Sequence, residues 1–173
     1  MPVADTNYES LYALTDVFDS STVLPESGAI FQDGMYQRDL YNFLSNYITN
    51  FNAVNAKLDS DTGVNGTSYA STCNLDAIGA AGYKLEPSGM SDKLLLDALY
   101  DIYLMLRYQL AILDADTGVT DTTYTSGLLP TFPGVALKTT NPVGIYSQGS
   151  VIDYLNTIVT NFNTLLAQLD DDA

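Results

Sequence analysis

The 173-residue sequence has no histidine, no tryptophan, one cysteine, and only six Lys and Arg against 21 Asp and Glu. Each scarcity removes a class of function. Without histidine there is no Ser-His-Asp or Cys-His nucleophile system and no imidazole to ligate a metal. A single thiol, Cys73, excludes an intrachain disulfide and a zinc cluster. It stands in a polar stretch with no base beside it, so it reads as an incidental thiol and not a nucleophile. The formal charge of −15 argues against nucleic acid and anionic membranes as partners, since both call for clustered Lys and Arg. The opening residues MPVADTNYES carry acids where a leader would carry bases, so no targeting segment is expected there. The most apolar stretch, LLLDALYDIYLMLRYQLAIL, is interrupted by Asp97, Asp101 and Arg107, and reads as a buried helix and not a bilayer span. Glutamate is confined to Glu9, Glu26 and Glu86, none in a recognisable acid–base setting, and no enzyme is expected.

What is present is a folding composition, 46% apolar and 16% charged, in a chain long enough for a real core. It is also repetitive. LDSDTGVNGTSY at Leu58 returns without a gap as LDADTGVTDTTY at Leu113, an offset of 55 residues that also links Gly34-Met35 to Gly89-Met90. A third copy is truncated: ITNFN at Ile48 recurs as VTNFN at Val159, and that copy ends LDDDA, with one residue added near Gln148 to Ser150. Such self-similarity marks one supersecondary unit used several times. It divides the chain into an N-terminal helix and arm (1–33), repeat 1 (34–88), repeat 2 (89–143) and a truncated repeat 3 (144–173), within one compact domain.

Each unit opens with apolar residues spaced alternately by four and three. The positions are Leu40, Leu44, Tyr47, Phe51, Val54 and Leu58; then Leu95, Leu99, Ile102, Leu106, Gln109 and Leu113; then Val151, Leu155, Ile158, Phe162, Leu165 and Leu169. That heptad-like spacing predicts helices packed at a shallow left-handed crossing. The expected fold is mainly α: a small bundle of three long helices, preceded by a short helix carrying Tyr8, Leu11, Tyr12 and Phe18 behind caps Asp5 and Thr6. Thirty-odd residues rich in Gly, Ser, Thr and Pro join the helices. A 24-residue helix is about 36 Å long, and thirty extended residues reach roughly 100 Å. The joining arms can therefore return the chain so that the helices run parallel; an antiparallel bundle with decorated loops is the rival. Short strands are a further expectation at 66–70 and 122–125. The first long helix has a polar face of Asn42, Ser45, Asn46, Thr49 and Asn52. The second is apolar nearly all round, so it is expected either at the centre or at an interface between chains. Its interface candidates are Leu95, Leu99, Ile102, Tyr103, Leu106 and Leu113, with Phe132 beyond it.

The Asp pairs Asp59/Asp61, Asp114/Asp116 and Asp170/Asp172 follow the last seam leucine of each unit. Acids at a helix C-terminus oppose the helix dipole, so three occurrences require a reason. One reading is a calcium site at Asp59, Asp61, Asp114 and Asp116, helped by Thr62 and Asn65 or by Thr117 and Asp121. The spacing departs from the EF-hand, with Gly63 or Gly118 at its fifth position and no Glu at its twelfth. The other reading is a helix stop, in which Gly63 and Gly118 take left-handed backbone and the Asp side chains close turns onto nearby N–H groups.

At the two LDxDTGV-x-x-T-x-Y segments, each preceded by a long helical stretch, the chain resembles the repeats of virion structural proteins of tailed bacteriophages, marine and cyanobacterial ones among them. The resemblance covers most of residues 34 to 173. It implies a non-enzymatic particle component located in the virion: a capsid decoration or cement protein, a head fibre, or a neck or tail piece. Its implied partners are further copies of itself and other virion proteins, and it brings no catalytic residues and no cofactor. The alternative function is a calcium-dependent adhesion module built on the Asp-x-Asp-Thr-Gly turns.

Overall fold

The three stretches with alternating spacing of four and three wind into long helices. A computed structural model describes residues 7–14, 34–66, 68–76, 92–119, 124–132 and 148–172. The long helices are α2 (Gly34–Ser60), α4 (Asp92–Ala115) and α6 (Gln148–Asp171). Three five-residue helices accompany them: α1 (Tyr8–Tyr12), α3 (Tyr69–Cys73) and α5 (Tyr124–Leu128). The protein is mainly helical, and no strand occurs among the described residues.

The strands expected at 66–70 and 122–125 are therefore corrected. Tyr69 and Tyr124 each start a short helix instead, while residues 67, 122 and 123 lie outside the described residues. The reason is a hydrogen-bond acceptor that lies outside the stretch itself. The Asp59 carboxylate takes the N–H groups of Tyr69 and Ala70 at 2.8 and 2.9 Å, and Asp114 takes those of Tyr124 and Thr125 at 2.6 and 3.0 Å. Two consecutive amides aimed at one carboxylate set a helical turn, which an extended ladder cannot do. The first part of each joining arm thus carries a helix. The later parts, 77–91 and 133–147, lie outside the described residues, as do the expected caps Asp5 and Thr6, and Phe18.

The seam positions fill the core. Leu44, Leu99 and Leu155 are buried, as are Tyr47, Ile102 and Ile158; Phe51, Leu106 and Phe162; and Leu58, Leu113 and Leu169. Aromatic residues of the first and third repeats meet across the core. Tyr47 packs on Phe162 with ring centroids 5.5 Å apart, and Phe51 on the same ring at 6.3 Å. One layer breaks the apolar pattern. Gln109, level with Val54 and Leu165, is fully buried and donates to the Oδ1 atom of buried Asn55 at 2.7 Å. The short helices sit in a chain of contacts between the long ones. α1 touches α6 and α2, α3 touches α2 and α4, and α5 touches α4 and α6. None of the helices among the described residues is long and apolar enough to cross a membrane.

Candidate functional site: three carboxylate clasps

The acids at the ends of the long helices are where the units are joined. The first Asp of each pair lies in the last turn of α2, α4 or α6. Its position is unfavourable for its own helix and favourable for the next, because it caps the N-terminus of a short helix. Asp59 caps α3 and Asp114 caps α5. Asp170 caps α1, accepting from the N–H groups of Tyr8 and Glu9 at 2.6 and 2.9 Å. Asn7, the residue preceding α1, makes no side-chain cap of its own. The capping group arrives from the other end of the sequence.

The second Asp of each pair receives a tyrosine hydroxyl. The tyrosine is the first residue of a short helix, and it is buried in every case. Tyr8 donates to Asp61 at 3.0 Å, Tyr69 to Asp116 at 3.1 Å, and Tyr124 to Asp172 at 2.7 Å. Each short helix is thus pinned twice: its amides to the first Asp of one long helix, its tyrosine to the second Asp of the next. Asp61 and Asp116 also close the turns behind them, accepting from Gly63 N–H at 2.9 Å and Gly118 N–H at 2.8 Å. Asp116 accepts further from the N–H groups of Asn65 and Gly66. Burial pushes the Asp116 carboxyl up, but the donors from Gly118, Gly66, Asn65 and the Tyr69 hydroxyl together hold it below the ordinary aspartate range. Burial, reinforced by the Asp116 charge, drives the Tyr69 hydroxyl well above the usual tyrosine range.

Gly118 corrects one expectation. Its backbone is not left-handed; it is needed for a close approach, since a Cβ there would stand 2.0 Å from the carbonyl oxygen of Gly63. The two turns are packed backbone to backbone, which only glycine permits.

A third set of contacts holds the far end of the short helices. Asn52 donates to the Leu75 carbonyl and accepts its N–H, both at 2.8 Å. Asn163 makes the same pair with Leu14, at 2.6 and 2.8 Å. Asn50 and Asn161 donate to the carbonyls of Tyr12 and Leu128. These four asparagines are the Asn residues of ITNFN and VTNFN. The sequence shows the recurrence, but not that these side chains bind the backbone of a neighbouring segment. Repeat 2 has Met105 and Arg107 at these places, and Pro130 where Leu14 and Leu75 stand. Proline has no N–H to offer an asparagine, so the two departures match.

The four residues proposed for calcium are placed as follows. Asp59 and Asp114 face pairs of backbone amides, and Asp61 and Asp116 face amides and tyrosine hydroxyls. A cation would have to displace those donors. Among the described residues no group of three or more carboxylate or thiol side chains gathers in a way that could hold a metal ion. The interface candidates divide. Leu99, Ile102, Leu106 and Leu113 are buried within this chain, so the seam of α4 is filled from inside. Tyr103 and Phe132 are half-buried in an aromatic cluster with Tyr100 and Tyr154, Phe132 lying 5.4 to 5.6 Å from the three other rings. Only the backbone of Leu95 is described. Cys73 is buried, and burial with the nearby Asp59 charge pushes its thiol up to about 11, away from nucleophilic use.

In comparisons with protein-family models, curated proteins and solved structures, the chain matches none of them.

Proposed function

We propose that this protein is a non-enzymatic structural component of a tailed-phage particle, acting through homo-oligomerisation or docking on a repeating lattice. In this reading the three long helices run parallel as one bundle, and each unit of about 55 residues passes to the next through a returning arm. One observation carries the proposal. The conspicuous acidic pairs spend their oxygens on backbone amides and tyrosine hydroxyls that hold one helix to the next. The polar chemistry of the chain is invested in joining repeats, which suits a load-carrying part, and the absence of histidine agrees with that. The virion setting rests on the repeat resemblance.

The test has two parts. The mass in solution is expected to exceed that of one 18.7 kDa chain, and the protein is expected in purified phage particles at a fixed copy number. Recovery only from the soluble host lysate, as a monomer, would contradict the proposal.

A further inference from the structure

The three clasps differ in where their short helix comes from. Asp59 and Asp114 cap helices that begin ten residues further along the chain. Asp170 caps α1 across 162 residues of sequence. The described polar contacts of α1 and its flanks outside the segment itself go to α6 and to α2 with the turn that follows it. Tyr8 and Glu9 N–H bind Asp170, Leu14 binds Asn163 at both its N–H and carbonyl, the Tyr8 hydroxyl binds Asp61, and Asn50 binds the Tyr12 carbonyl. Lys57 reaches the Asn7 side chain and lies 4.4 Å from the centre of the Tyr8 ring. A five-residue helix has no stability of its own, so docking accounts for its order.

We propose that the ends of α6 and α2 form a receptor for segment 7–14, and that a second copy of this chain can supply that segment, so that copies link by exchanging α1. The contacts that define the site are the same whether the segment arrives from its own chain or from another. The chain between Leu14 and Gly34 can span up to about 65 Å when extended, which puts a neighbouring receptor within reach. Exchange of an identical element needs no new interface, and concentration sets the balance between the closed monomer and linked copies. α3 and α5 are held ten residues from their capping acids and have no comparable freedom. The inference rests on the homo-oligomeric part of the function proposed above and names the surface through which it operates.

Two full-length variants test it. Tyr8→Ala spoils the segment and leaves the receptor intact; Asp170→Asn with Asn163→Ala spoils the receptor and leaves the segment intact. Mixed in equal amounts at high concentration, they are expected to form a 1:1 complex of twice the monomer mass that neither forms alone. In that complex the amides of Tyr8 and Glu9 in the receptor-spoiled chain should exchange at least tenfold more slowly than in that variant alone. Failure to associate overturns the proposal. So do oligomers that persist unchanged in Tyr8→Ala, which would locate assembly on another surface and leave the structural reading standing. If either variant fails to fold, chains carrying Leu14→Cys are mixed with chains carrying Asn163→Cys, both in a Cys73→Ser background. A disulfide-linked 1:1 dimer supports exchange, and its absence under oxidising conditions overturns it.

Discussion

Aspartates 59, 114 and 170 sit where the dipole of their own helix opposes them, and each gains by capping a second helix. Losing one such cap removes a charged acceptor from two amides, at a cost of about 1–2 kcal/mol. Asp59→Ala and Asp114→Ala are each expected to lower stability by that amount in urea melts, and Asp170→Ala by a similar amount. Unequal losses would show that the three clasps differ in kind. Asp116 adds a pH dependence. Its carboxyl is held below the ordinary aspartate range of about 4, so it contributes stability fully above that range. The contribution is lost as pH falls through the depressed folded value. Asp116→Asn should therefore flatten the acid limb of the stability profile; an unchanged limb would contradict the assignment. Cys73 is expected to resist a thiol reagent at pH 8 in the native protein and to react at once in urea, because it is buried and its thiol is pushed up to about 11.

At the scale of elements, the spacing of apolar residues located all three long helices and their core faces. Leu44, Phe51, Leu58 and their counterparts are buried as that spacing requires. The short helices α3 and α5 were not legible in the same way. Their starts depend on acids ten residues upstream, and local propensity over five residues cannot register a cap that arrives by tertiary folding. α1 was placed by its own spacing, but its link to Asp170 across 162 residues has no local signal. The one trace was the likeness of Asn7-Tyr8 to Ser68-Tyr69 and Thr123-Tyr124. The seam also contains a deliberate irregularity. Gln109 and Asn55 replace the apolar residues found at the same level in the other repeats, and the Oε1 atom of Gln109 is buried with no hydrogen-bond partner among the described residues. Gln109→Leu alone would leave the Asn55 acceptor without its donor and should cost about 1–3 kcal/mol. Adding Asn55→Leu should recover most of that loss, since apolar residues of similar volume often replace a buried polar pair at no net cost. A double-mutant cycle measures the coupling; additive losses would show that the two amides do not act as a pair.

At the scale of the whole molecule, the chain of contacts runs α6, α1, α2, α3, α4, α5 and back to α6. The segment before the first repeat thus stands against α6 as α3 stands against α2. That closure gives the acidity a distribution that composition alone concealed. Six of the 21 acids belong to the turn pairs, and the described oxygens of those pairs face donors. The same geometry bears on calcium. Since Asp59, Asp61, Asp114 and Asp116 already face amides and hydroxyls, millimolar Ca²⁺ is expected to leave the melting temperature unchanged; a rise of several degrees would restore the cation reading. Native-state amide exchange compares the three clasps within one molecule. Because all three carboxylates cap a short helix in the same way, the amides of Tyr8 and Glu9 are expected to be protected to the same degree as those of Tyr69, Ala70, Tyr124 and Thr125. Exchange of Tyr8 and Glu9 at free-peptide rates, with the other four protected, would contradict it.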